Sequence, residues 1–479
     1  MRLGQSSLVT FAAQFLGSII GFLAIVFVSR ELGAAVLGMY FLALAVQNWV
    51  RMFSTAGVVT SVTKRMSAAE DDGARYLSAG VVIQGVITVV ALGAMLLFRG
   101  RIDSFVGEPV TPLLIAIVGL GSLYSLVKAG LMGQQRVHVS SLLDPVDQTF
   151  GGAVQVLLVV LGLGLVGALT GKIVGLLVVV TLGAVLLNVR LVRPERADLE
   201  RILSFARYAW IQGFQSKTYI YLDTVVIGVF AASQFVGFYQ VSFNVAAILA
   251  LFGVSVIRTL FPALSTADSA DDPELAASLF SDGIAFSGLL LVPGIVGSAL
   301  IGADVLRIYG PEFTVARWIL VLLVVSQLFY VYMTQTVTML NALDRPGQAF
   351  RVNAVFIVTN LLLNVWLVPT VGYEGAAVAS GLTALLGFAI GYRLVASSVP
   401  VSLPVGEVAR QVVAALVMGV AVGAMLQVRT PATLPGPPTI GTVFYALVGA
   451  IVYGVVLYGL SARVRTVVHE NLPIGSDWV

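Results

Sequence analysis

Apolar runs of about 20 residues recur from one end of the 479-residue chain to the other, separated by short polar breaks. A window of about 19 residues places fourteen spans. They are 8–29, 36–58, 76–98, 111–131, 146–166, 171–192, 205–230, 236–264, 280–303, 316–341, 352–369, 374–397, 405–427 and 438–461. Runs of this length match the hydrocarbon thickness of a bilayer. They are expected to be helices, because an isolated strand leaves its backbone polar groups unsatisfied in lipid. Where polar residues enter a run, many fall three or four positions apart, which gathers them on one helix face. The expected fold is an all-α polytopic membrane protein with about fourteen transmembrane helices.

The pattern also repeats. "ELGAAVLGMYFLALAV" (31–46) returns as "FAASQFVGFYQVSFNV" (230–245), each with Gly-x-Tyr inside an apolar run. "MGQQR", ending at Arg136, corresponds to "NALDR", ending at Arg345. "GLVGALTGKIVGLLVVV" (164–180) corresponds to "GYEGAAVASGLTALLGF" (372–388). From Arg136 to Gly167 is 31 residues, and from Arg345 to Gly375 is 30. Constant order and spacing divide the chain into a six-helix bundle at 1–198, its repeat at 199–397, and two further helices with a tail at 398–479. Each copy holds an even number of crossings, so the copies are parallel. Two such bundles are expected to enclose a central cavity and to open it alternately to either side.

Composition supports the lipid setting. The chain is 58% hydrophobic and 11% charged, against about 25% charged in soluble domains. It has no cysteine and two histidines far apart, His138 and His469. Disulfides, thiolate sites and a metal centre are therefore not expected. The first apolar run reads as a retained span, since no small-residue cleavage site follows it. Of the cations, 23 are Arg and 4 are Lys. With the N-terminus inside, inner segments carry 17 of them and outer segments 7, Lys172 among the outer. That bias predicts a cell-membrane protein with both termini in the cytoplasm.

"LGAAVLGMY" after the first span, "VIRTLFPALS" closing the eighth and "YEGAAVASG" opening the twelfth accompany the six-plus-six-plus-two plan. In these the chain resembles the Wzx-type polysaccharide flippases of the multidrug/oligosaccharidyl-lipid/polysaccharide exporter superfamily. The resemblance runs over nearly the whole chain. It implies a MATE-like fold. It also implies a transporter moving an undecaprenyl- or dolichyl-linked oligosaccharide, joined through phosphate or pyrophosphate, from the inner to the outer leaflet. The implied partners are that substrate, membrane lipids and glycan-assembly proteins of the same pathway. Nucleic acid is not among them.

Such a substrate has an anionic phosphate, a polar glycan and an apolar tail. Its head calls for cations and amide or hydroxyl stripes within the spans. In the second span Gln47, Arg51 and Thr55 lie four apart, with Asn48 beside them. A lone Arg deep in a span costs about 2.5–3.5 kcal/mol on insertion scales, which makes a cavity-facing role the default. In the seventh span Gln212, Ser216, Tyr219 and Asp223 form a stripe near Lys217. Lys217 and Asp223 are six residues apart, about 9 Å along a helix, too far to pair closely. Arg51 and Lys217, with Lys128, are the candidate phosphate contacts. Lys128 also sits where it can snorkel to the interface. Asp223 is the candidate for coupling to H+ or Na+. The tenth span adds Gln327, Tyr330 and Thr334, and no resident cofactor is expected.

Two other classes compete. A cation-coupled multidrug antiporter shares the plan, and Asp223 keeps it open. Arg51 and Lys217, however, repel cationic drugs. A membrane glycosyltransferase or polymerase needs an outer catalytic site, and the longest outer loop offers only Asp103 and Glu108. Asp71–Asp72 and Asp271–Asp272 lie in inner loops. No P-loop is present. A transporter rather than an enzyme is the expectation.

Overall fold

The computed structural model describes residues 3–55, 57–68, 73–269, 272–427 and 438–471. Side chains within these are described except at 3–16, 18, 54, 207–220, 268–269, 438–440 and 470–471. The helices are α1 (Leu3–Thr55), α2 (Val58–Ala68), α3 (Gly73–Leu97), α4 (Arg99–Val106), α5 (Thr111–Gly133), α6 (Val137–Val160), α7 (Gly164–Leu187), α8 (Arg196–Phe230) and α9 (Ser233–Ser269). They continue as α10 (Pro273–Ser287), α11 (Leu291–Leu306), α12 (Arg317–Ala342), α13 (Pro346–Val371), α14 (Glu374–Ala396), α15 (Val405–Gln427), α16 (Pro438–Leu460) and α17 (Ala462–Asn471). No strand occurs among the described residues, as the physics of a backbone in lipid requires.

Among the described residues, eleven helical stretches are long and apolar enough to cross a membrane. The chain is an all-α, multi-pass membrane protein. Three of the fourteen expected spans are not separate members of the eleven. The first two run together as α1 and are parted at Gly33, whose φ of 75° and ψ of 173° break the helical path. α6 carries Asp144 and Asp147, which dilute its apolar character. α8 passes through residues 207–220, whose side chains lie outside the description.

Contacts gather the chain into two units, Met1–Phe238 and Tyr239–Val479. In the first, α6 and α7 form a close hairpin. A Cβ on Gly171 would stand 2.5 Å from the backbone nitrogen of Gln155, so only glycine permits this approach. α1 crosses α6 at Gly17, where a Cβ would meet Pro145 Cα at 2.8 Å. α8 packs on α1, α2 and α3 in the same unit. The Gly-x-Tyr segments of the two repeats meet here. A Cβ on Gly38 would fall 1.7 Å from the Ser233 carbonyl oxygen, and one on Gly237 would fall 2.3 Å from that of Ala34. Ala34/Gly38 and Ser233/Gly237 are therefore reciprocal small-xxx-small pairs, the device that lets helix backbones touch in lipid.

In the second unit α12 packs on α14, with Gly387 facing Met333 and Gly391 facing Thr336. α15 and α16 join it through α11, burying Val292, Ile301, Met418, Tyr445 and Leu457 together.

The repeat recurs as identical turns. Gln135 (φ 60°) and Asp344 (φ 52°) are left-handed, each just before the repeat arginine. Arg136 N–H donates to the Leu131 carbonyl at 2.9 Å and Arg345 N–H to that of Leu340 at 2.8 Å. These are the six-to-one bonds of a Schellman helix end. Arg136 then clamps the end of α7 through the Leu186 carbonyl, 2.5 Å away, and Arg345 reaches Ser398 just beyond α14.

Prolines behave less simply than their position suggests. Pro262 lies inside α9 without ending it. Pro293 sits in the first turn of α11. The interruption itself falls just before it, between Ser287 and Leu291. A proline in a first helical turn needs no N–H partner.

Candidate functional site

The second half of α1 carries Gln47, Arg51 and Thr55 on one face, with the Thr55 hydroxyl donating to the Arg51 carbonyl at 2.8 Å. Arg51 lies over Gly121 of α5. A Cβ there would stand 3.2 Å from both Arg51 Cδ and Nη1, so the glycine makes room for the side chain. One turn along α5, Tyr124 and Lys128 present the next polar step. Tyr124 donates to Asp144 Oδ1 of α6 at 2.6 Å, and Lys128 Nζ lies 2.7 Å from Asp144 Oδ2.

Three residues further along α6, Asp147 turns to α7. Its Oδ2 is 2.6 Å from Lys172 Nζ. Its Oδ1 is buried without a hydrogen bond and faces Gly175, where a Cβ would come within 2.6 Å. The Arg51 guanidinium is within electrostatic reach of Asp147 and Asp144 and of the phenols Tyr124 and Tyr221. Tyr40 lies within electrostatic reach of Asp147. Four helices of one unit thus bring three cations and two carboxylates together.

Their depth matters. Asp147 is the eleventh of 24 residues in α6, and Lys172 the ninth of 24 in α7. Arg51 and Lys128 lie nearer the ends of α1 and α5. The side chains of Lys172 and Asp144 are 34% and 41% exposed. Charges open to this extent in a span are expensive in hydrocarbon and face water or protein instead. Lys128 and Lys172 are each paired with one carboxylate of the cluster.

The candidates named from the sequence fall in different places. Arg51 and Lys128 belong to the cluster, and Gln47 is buried one turn before Arg51. Asn48 spends its amide on the Leu44 carbonyl at 2.9 Å. Asp223 is buried on α8, two residues past Tyr221. Gln212, Lys217 and Tyr219 are carried by α8, and their side chains lie outside the described residues. Gln327, Tyr330 and Thr334 are on α12 of the second unit. There Gln327 is buried, and Thr334 donates to the Tyr330 carbonyl at 2.8 Å. The amides Asn360 and Asn364 serve helix packing, with Asn360 donating to Ser380 at 3.0 Å and Asn364 to the Asn360 carbonyl at 2.9 Å. No group of three or more His, Cys, Asp or Glu residues fit for a metal occurs among the described residues.

Sequence reasoning missed Asp144, Asp147 and Lys172. It started the fifth span at 146 and the sixth at 171, which left Asp144 in a loop and Lys172 at an outer end. The actual turn is apolar and is made by Gly162 and Gly164, both with positive φ, so no polar residue marks it. The available signal was Asp144 and Asp147 at i, i+3, one helix face of "LLDPVDQTFGG".

Comparison with known proteins adds the context. The chain matches the family "Polysaccharide biosynthesis protein" over residues 3–268 and "Lipid II flippase MurJ" over residues 166–436. It is 31% identical over 475 residues to "Probable flippase AglR" of Haloferax volcanii, covering 98% of each chain. It is 27% identical over 419 residues to "Probable low-salt glycan biosynthesis flippase Agl15" of the same organism, covering 87% of this chain and 89% of that one. Its fold is similar to that of a lipid II flippase MurJ in an inward closed conformation. The TM-score is 0.80 and the identity 14%, over 94% of this chain and 98% of the other.

Proposed function

The chain belongs to the polysaccharide biosynthesis protein family, and we propose that it is a flippase for a polyprenyl-linked oligosaccharide used in cell-surface polysaccharide or glycoprotein glycan assembly. The observation that carries the reading is the cationic cluster of Arg51, Lys128 and Lys172 within membrane-spanning helices. An intramembrane cation is tolerated where it serves a pathway. A lipid phosphate or pyrophosphate is the group that needs one, and the apolar tail can remain in lipid.

Arg51 is the entry contact. Its planar guanidinium meets two phosphate oxygens at once. Lys128 and Lys217 are further phosphate contacts, while Gln47, Asn48, Gln212, Tyr219, Gln327, Tyr330 and Thr334 serve the glycan with neutral hydrogen bonds. The two six-helix repeats alternate access. Asp223 couples the cycle to H+ or Na+, and no other cofactor takes part. The protein sits in the cell membrane with both termini in the cytoplasm, beside glycan-assembly proteins of its pathway. It is a transporter and breaks no covalent bond.

The test is a flip assay with purified protein in vesicles and labelled lipid-linked oligosaccharide, read by a membrane-impermeant glycan reagent. Protein-dependent exposure is expected. Arg51→Ala should lower its rate about tenfold or more, the loss of one charge-assisted contact. No exposure above empty vesicles, with ion-driven efflux of an organic cation that needs Asp223, would make the protein an antiporter.

A further inference from the structure

We infer that Lys172 is a phosphate contact of the loaded transporter and that Asp147 is its stand-in, a carboxylate that occupies the ammonium while the site is empty. This rests on the flippase reading above. It adds that substrate binding is an exchange of one anion for another.

Four observations carry it. First, Asp147 Oδ2, at 2.6 Å, is the one acceptor Lys172 Nζ has among the described residues. Carboxylate and phosphate oxygens are equivalent acceptors for an ammonium, so the geometry that suits one suits the other. Second, Asp147 is an incomplete occupant. Its residue is 8% exposed, yet its Oδ1 makes no hydrogen bond among the described residues and lies in a notch bounded by Gly175. A buried carboxylate oxygen without a donor is a weak hold, and a phosphate brings more oxygens to the same cation.

Third, the pair is not needed to close the hairpin. Gly171 against Gln155 and Gly167 against Leu158 already bring α6 and α7 into backbone contact. A purely structural role leaves unexplained why a charged pair sits at mid-helix with Lys172 one-third open. Fourth, a released Asp147 is not stranded. Arg51 is within electrostatic reach of it, so the carboxylate keeps a cationic neighbour when the phosphate takes Lys172.

The functional consequence is release. A pathway must bind its cargo strongly enough to admit it and weakly enough to let it go. A resident anion that returns to Lys172 supplies the second condition. Asp144 stands in the same relation to Lys128, but Tyr124 also donates to it, so it is the better-held of the two acids.

The experiment uses the full chain in lipid nanodiscs with farnesyl pyrophosphate as probe, titrated calorimetrically. Thermal unfolding is followed in parallel. Asp147→Asn removes the competing charge and is expected to tighten the dissociation constant about tenfold, while slowing flipping through delayed release. Lys172→Gln is expected to weaken binding by a similar factor, and the double variant to lose the tightening. An Asp147→Asn protein that folds and binds no more tightly than the parent overturns the exchange. So does Lys172→Gln with unchanged affinity, which decides the matter alone if Asp147→Asn does not fold. A parent protein that binds no probe overturns the phosphate reading and this inference with it. A parent that binds, with either variant result above, overturns only the exchange.

Discussion

Asp103 shows what one residue outside the spans can do. It follows α3 in the short α4, and its Oδ1 accepts from both the N–H and the hydroxyl of Thr111, at 2.8 and 2.7 Å, at the start of α5. Burial acts to raise its titration, but the Thr111 bonds and Arg99 outweigh it and hold the carboxyl below its ordinary value. A depressed folded value means the stabilisation is present above the unfolded value of about 4 and is lost as the pH falls through the folded one. Asp103→Asn should therefore lower the thermal midpoint at pH 7 and leave it unchanged at pH 2, as scanning fluorimetry would record. The left-handed residues make a second case. A non-glycine residue pays about 1–2 kcal/mol in that region, so Gln135→Gly should raise stability by about 1 kcal/mol, read as a shift in the midpoint of denaturant unfolding. Gln135→Val should do the reverse.

Helices in this chain meet where side chains are absent. The reciprocal contact of Ala34/Gly38 with Ser233/Gly237 leaves no room for a Cβ on either glycine. Gly38→Val or Gly237→Val should open that crossing and reduce both thermal stability and flipping. Gly85→Val, at a position with nothing within 4 Å, should change neither. α15 and α16 depend on side chains instead. Met418 is buried in one cluster with Val292, Val422 and Tyr445. Truncating a buried Met typically costs 2–5 kcal/mol, and in lipid the loss is van der Waals contact alone. Met418→Ala should thus destabilise by about 2 kcal/mol in a detergent unfolding titration. The element scale also explains the misplaced charges. The hairpin joining α6 to α7 turns on glycines amid leucines, so hydropathy drew the boundary several residues late.

At the scale of the whole molecule, contacts divide the chain between Phe238 and Tyr239, whereas similarity between segments divides it near residue 198. The two criteria ask different questions. Similarity follows the order of segments along the chain. Contacts follow packing, and α8 packs on α1, α2 and α3. Orientation in the membrane is open to direct measurement because the chain has no cysteine. With both termini in the cytoplasm, His469→Cys should react with an impermeant maleimide only after cells are permeabilised, and Glu108→Cys should react in intact cells. The opposite pattern would invert the topology and with it the direction of flipping.

Much of this architecture was legible before any coordinate. Span length, helical class, the repeated Gly-x-Tyr and Arg turns, and Arg51 at helical spacing from Gln47 are local patterns, and a local pattern needs no knowledge of its neighbours. Arg51 stands out in the sequence because it is a charge inside an apolar run. Asp144, Asp147 and Lys172 were not found because their meaning is relational. Each residue advances a helix about 1.5 Å, so a boundary misplaced by a few residues carries a charge from water into the span. Which carboxylate meets which cation depends on the register between α6, α5 and α7, and that register is set by glycine contacts made only when the helices pack.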